Sequence, residues 1–212
     1  MADACVIIAL AAEADDDFIW SRLDALQTEM FMAGPVAIKF AYYGAEGSLS
    51  SRPFVATRWA RDADDMAALL DHARAHCVCG CFVDAGDILE AALNEAEPVQ
   101  AVIVVGDRFY GDEDTVMRQA ERLRARGTRL ILFQQGQIRG TDNVFRALAE
   151  RTDGAYFQFN PAVERIAERL PGLFEAVTHF VIGGERALEA RAPNNESAAL
   201  LLEQMTASLR IK

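Results

Sequence analysis

Apolar residues fall into short, nearly unbroken runs at positions 6–12, 36–43, 99–105, 128–133 and 155–159. Runs of this length without polar alternation predict strands covered on both faces. The stretches between them place apolar residues at helical spacing. Phe18, Ile19, Leu23, Leu26, Met30 and Phe31 follow Asp15-Asp-Asp17, which supplies caps and favourable negative charge at a helix start. Gly34-Pro35 ends that helix. Asp62 is the expected cap of a helix reaching His76, with Met66, Leu69 and Leu70 on its buried face. Asp87 is the expected cap of the next, over residues 88–96, and Pro98 precedes the strand that follows.

Further helices are predicted at 114–126, 141–151 and 161–183. The first of these ends in Arg122, Arg124 and Arg126 before Gly127, a C-terminal signal. Residues 52–59 are strand-like and stand across a Gly/Ser loop from 36–43, which predicts a hairpin. Strands alternating with helices argue for a doubly wound α/β fold. Its mostly parallel central sheet is expected to have about six strands, with one antiparallel edge strand and helices on both faces. Ala192-Pro-Asn-Asn195 breaks the pattern before a last helix, whose Leu200, Leu201, Leu202, Met205 and Leu209 form a wide apolar face. That face is expected to dock on the chain's own core, and a partner-binding tail is the alternative. The expected division is therefore a domain over 1–190 and a linker with amphipathic helix over 191–212.

The 212 residues, 51% of them apolar, suffice for one full core. Net charge is −11, from 21 basic and 32 acidic residues. So acidic a body repels phosphate backbones and anionic membranes, so neither nucleic acid nor a membrane is an expected partner. The apolar stretch at 5–12 lacks a basic leader and has Asp3 before it, so it reads as a buried first strand rather than a secretion signal. Nothing approaches the ~20 apolar residues of a membrane span. Three of the four cysteines crowd into Cys77-Val-Cys79-Gly-Cys81, which is no disulfide framework, and the expected location is cytoplasmic.

The order Ala101-Val-Ile-Val-Val-Gly-Asp107, helix, Arg129-Leu-Ile-Leu-Phe133, helix, Gly154-Ala-Tyr-Phe-Gln-Phe159 resembles the second half of von Willebrand factor type A domains. The resemblance extends over roughly residues 5–190. It implies a Rossmann-like fold with a divalent cation at the carboxyl edge of the sheet, held by three loops. The first loop carries Asp and two hydroxyl residues, the second Thr and the third Asp. Val104-Val-Gly-Asp107 matches the third loop, so Asp107 takes its Asp position. In the first loop the leading Asp falls on Ala11 and the hydroxyl positions on Glu13 and Asp15. In the second, the Thr falls near Val83, Asp84 or Gly86, none of them a hydroxyl residue.

Two readings of these departures stand side by side. In one, the adhesion-type metal site is degenerate, and Glu13 and Asp15 are acids at a helix start. In the other, Glu13, Asp15, Asp84 and Asp107 form a rebuilt carboxylate site for Mg²⁺ or Mn²⁺, hard cations that favour oxygen ligands. The resemblance implies a non-catalytic protein-binding or scaffolding module, with a protein or a second copy of the chain as partner. Its contact surface would include Asp16, Asp112, Glu113 and Gln135. The alternative is a divalent-metal-dependent hydrolase using the same acidic crevice.

Other constellations are weaker. His72 and His76, i and i+4 on one helix, precede Cys77, Cys79 and Cys81 and offer soft ligands for zinc, but the spacing fits no known finger. Buried, inert cysteines explain the segment as simply. No nucleophile elbow or phosphate-binding loop is present.

Overall fold

The computed structural model describes residues 3–10, 30–43, 54–76, 83–106, 108–136, 140–159 and 164–210. Its strands are β1 (Ala4–Leu10), β2 (Val36–Tyr43), β3 (Phe54–Ala56), β4 (Val83–Asp84), β5 (Val99–Gly106), β6 (Phe109–Tyr110), β7 (Arg129–Gln135) and β8 (Ala155–Phe159). Residues 30–33 are helical, ahead of β2. The helices after them are α1 (Ala63–His76), α2 (Ala85–Asn94), α3 (Glu113–Ala125), α4 (Thr141–Arg151), α5 (Glu164–Gly183), α6 (Glu185–Arg191) and α7 (Glu196–Arg210).

Six strands form one sheet in the order β3-β2-β1-β5-β7-β8. All neighbours are parallel except β2 and β3, which pair antiparallel as Ala41↔Ala56, Tyr42↔Val55 and Tyr43↔Phe54. The architecture is the doubly wound one expected. Of the expected 52–59, the described β3 covers Phe54–Ala56, and beyond it the Thr57 N–H donates to the Phe40 carbonyl at 2.9 Å and the bridge Ile38↔Ala60 continues the pairing.

Alternation along each strand divides the core into two layers. Val6, Ile8, Ile38, Phe40, Ile103, Phe133 and Phe157 share one layer with Met66 and Leu70 of α1 and Leu173, Phe174 and Val177 of α5. Ile7, Ala9, Val102, Val104, Leu130, Leu132 and Tyr156 share the other with residues of α2, α3 and α4. Both faces of the central strands are therefore dry, which accounts for their unbroken apolar runs.

The apolar face of α7 belongs to the first layer. Ala198, Leu201 and Met205 are buried there, and the helix packs against α5, α6 and β8. The stripe thus faces the chain's own core.

Local chemistry explains where the helices begin. Asp62 Oδ1 accepts the Asp65 N–H at 2.8 Å and caps α1 as expected. The cap of α2 is Asp84 rather than Asp87, and the helix runs over Ala85–Asn94 rather than 88–96. Asp84 is extended (φ −75°, ψ 100°) because it belongs to β4, whereas Asp87 falls in the first helical turn. Gly154 joins α4 to β8, where an added Cβ would lie 1.9 Å from the Leu130 carbonyl oxygen.

Candidate functional site at the carboxyl edge

Strand order reverses between β1 and β5. The chain winds outward through β2 and β3 on one side and through β7 and β8 on the other. At such a reversal the connections leave in opposite directions and open a crevice outside the carboxyl ends of the strands. Register places Leu10 beside Val105, and Gly106 beside Gln134, at that rim. Glu13, Asp15, Asp16 and Asp107 follow these strand ends in sequence and lie outside the described residues.

A feature missed in the sequence shapes the rim. Val83 and Asp84 pair in parallel with Phe109 and Tyr110, so β4 and β6 form a separate two-stranded ladder. The chain entering α2 is thereby tied to the chain approaching α3. Two residues per strand are too few for any periodicity to announce them.

Asp84 stands exposed on this ladder, and its Oδ1 accepts the Gly86 N–H at 2.8 Å. Gly86 gives the carboxylate room, since a Cβ there would come 2.9 Å from that same oxygen. On the neighbouring helix, Asp112 caps α3 by accepting the Thr115 N–H at 2.9 Å and the Thr115 hydroxyl. These two bonds, the hydroxyl first, hold the Asp112 carboxyl below its ordinary pKa. Glu113 and Asp114 extend the acidic rim from the first turn of α3, where the helix dipole favours negative charge. The structure thus brings Asp84, an expected metal ligand, and Asp112 and Glu113, expected contact residues, to the starts of two adjacent helices. Gln135 ends β7, paired with Phe159 across the sheet edge.

Two buried amides lie behind this rim. Gln119 of α3 donates Nε2 to the Gly86 carbonyl at 3.3 Å and to Glu90 Oε2 at 3.1 Å, which locks α2 against α3. Its Oε1 has no partner. Gln134, fully buried near the end of β7, accepts the Tyr156 hydroxyl at 2.6 Å while its Nε2 has no partner. The spacing Val116, Gln119, Ala120, Leu123 puts Gln119 on a buried face and is the signal that could have found it. Gln134 directly follows the apolar run Arg129-Leu-Ile-Leu-Phe133, and no local spacing marks it as buried.

The second candidate constellation is only half in view. His72 and His76 stack with ring centroids 4.2 Å apart, and His76 Nδ1 lies 2.8 Å from the His72 carbonyl oxygen. Cys77, Cys79 and Cys81 lie outside the described residues. Among the described residues no three His, Cys, Asp or Glu side chains come together as a metal-holding group. None of the described helices is long and apolar enough to cross a membrane.

Winding order, antiparallel edge and carboxyl-edge crevice together decide the architecture. The fold is that of a von Willebrand factor type A (VWA) domain. Solved structures similar to this chain include the SpRpn10 VWA domain, at 12% identity over 79% of this chain and 93% of that one, with a TM-score of 0.57. A von Willebrand factor type A protein from Catenulispora acidiphila matches at 14% identity over 85% of this chain and 43% of that one, TM-score 0.56. Proximal thread matrix protein 1 of the mussel byssus, whose MIDAS motif is described as zinc-occupied, matches at 15% identity over 83% and 45%, TM-score 0.57. The chain spans less than half the length of these last two proteins. At such identities the likeness is one of fold. No protein-family profile matches the chain, and no curated protein matches it in sequence.

Proposed function

We propose that this VWA-type chain is a non-catalytic protein-binding or scaffolding module whose contact surface is the carboxyl-edge crevice. The observation that carries the reading is the strand reversal between β1 and β5, flanked by the β4–β6 ladder. The β4–β6 ladder ties the entries to α2 and α3 together beside that reversal, and these described entries are acidic. Asp112 and Glu113 with Asp16 and Gln135 are the proposed partner contacts. Glu13, Asp15, Asp84 and Asp107 are the proposed oxygen ligands for Mg²⁺ or Mn²⁺.

Donor chemistry supports a hard cation, since all four are carboxylates. Asp84, the described member, is exposed on the rim while one of its oxygens caps α2. Clustered carboxylates raise one another's pKa values unless a cation sits among them. The zinc-occupied motif of the byssus protein makes Zn²⁺ a third ion worth titrating. A cytoplasmic location and a protein partner, which includes a second copy of the chain, complete the proposal.

Calorimetric titration of Mg²⁺, Mn²⁺ and Zn²⁺ into chelator-treated protein, with Asp107→Ala alongside, tests the site. Micromolar binding that is lost in the variant is the expected result for a rebuilt centre. Heat that persists unchanged in the variant places the ion elsewhere. Silence in both proteins leaves a metal-free binding fold. Hydrolytic turnover that depends on the bound ion would replace the scaffold reading with an enzymatic one.

A further inference from the structure

The opposite end of the sheet carries a second opening. A cavity of about 270 Å³ lies at the amino ends of β1 and β2, walled by Phe31, Gly34, Pro35 and Val36 and rimmed by Asp3, Arg61 and Asp62. Its volume falls just below the range of small-molecule sites, which suits one long side chain better than a cofactor.

Its charge has a definite sign. Arg61 is already engaged, donating Nη1 to Asp3 and Nη2 to Glu97 at 3.1 and 3.2 Å from the two carboxylate oxygens. Among the lining groups Asp3 and Asp62 therefore outweigh Arg61 by one negative charge, and Glu97 draws on the same guanidinium from outside the lining. The start of α1 contributes about half a positive charge, and it is met by the Asp62 cap and by Asp64 in the first turn, while Asp65 is paired with Arg58. An anion would thus meet a neutralised guanidinium and a capped helix, whereas a cation meets excess carboxylate above apolar walls. Met32, next to Phe31 in sequence, is 80% exposed, the one large hydrophobic left open among the described residues.

We propose that this amino-end cavity receives a long cationic side chain, Arg or Lys, presented by a protein partner. The aliphatic stem lies along Phe31, Pro35 and Val36, and the charged head reaches Asp62 and Asp3. Long cationic side chains commonly bury their stems in this way while keeping the head polar. The surface is separate from the carboxyl-edge crevice, so either can fail without the other.

The test is an amide-shift NMR titration with N-acetyl-arginine methylamide, run beside N-acetyl-norleucine methylamide, which carries a comparable stem without charge. Shifts should cluster at residues 31–36 and 61–63 with the arginine probe and be several-fold weaker with norleucine. Asp62→Asn removes charge but keeps a capping side chain, so the fold should survive, and an unchanged Tm checks this. Binding should weaken about three- to five-fold in Asp62→Asn, as for a partly exposed ion pair, and in Asp3→Asn as an independent variant. It should also weaken as salt is raised. Equal binding of both probes, an unchanged affinity in both variants, or the absence of clustered shifts would overturn the proposal. So would shifts centred on 84–86 or 112–115, which would move the cation to the other end of the sheet.

Discussion

Cys5 illustrates how much a neighbour decides about one residue. It is buried at the start of β1, and its thiol lies 3.3 Å from Glu97 Oε2. Burial first, and then the bond to that carboxylate, push its pKa up to about 12. The thiolate is the reactive form, so Cys5 should resist thiol reagents at pH 8. In a chain whose other three cysteines are replaced by serine, iodoacetamide labelling should occur only on unfolding. The folded chain holds this proton more tightly than the unfolded one, whose thiol titrates near ~8.5. The associated stability is therefore full below that pH and is lost as pH rises toward 12. The Gln134–Tyr156 pair makes a second residue-scale case. Tyr156→Phe should cost about 1–2 kcal/mol in denaturant unfolding, because it leaves the Gln134 amide without either partner in the dry layer. Adding Gln134→Leu to that variant should recover part of the loss, which a double-mutant cycle would read.

At the scale of elements, close approach and capping decide more than propensity. The turn from α4 into β8 brings Gly154 against the Leu130 backbone, and Asp153 just before it takes φ +50°. Arg124 and Arg129 both reach the Asp153 carboxylate, at 2.7 and 3.1 Å, and pin that turn. Gly154→Ala should cost about 3 kcal/mol, the upper end of overpacking penalties, since the clashing atom is backbone and cannot rotate away. Urea unfolding would measure it. Capping shows why some boundaries were legible and others were not. Asp62 is followed within three residues by Asp64 and Asp65, acids that suit a first turn, so its role was readable. Asp84 and Asp87 both precede one apolar run, and only the β4–β6 ladder selects Asp84 by holding its backbone extended.

Across the whole molecule, the two sides of the sheet end differently. One edge is β3, described over Phe54–Ala56. The other is β8, whose first-layer face is covered by α7. Stopping the chain after Arg191 should uncover that face together with the apolar face of α5. The expected result is aggregation on size exclusion and strong binding of a hydrophobic dye. Leu201→Ala in the full chain is the milder form of the same change. Leu201 is fully buried, and its truncation should cost about 2–5 kcal/mol while the chain stays monodisperse.

The sequence by itself determined the alternation of strands and helices, the antiparallel edge and the VWA resemblance. The physical reason is local: unbroken apolar runs fit only strands buried on both faces, and Asp, Gly and Pro mark boundaries through nearby backbone groups. Tertiary structure alone decided which Asp caps α2, that Gln119 and Gln134 are buried amides, and that the last helix covers β8 from the first layer. It also made the amino-end cavity, whose walls come from Phe31, Gly34, Pro35 and Val36 and whose charges come from Asp3, Arg61 and Asp62. Those groups are far apart in the chain. No local pattern encodes their meeting, because it follows from strand order and register.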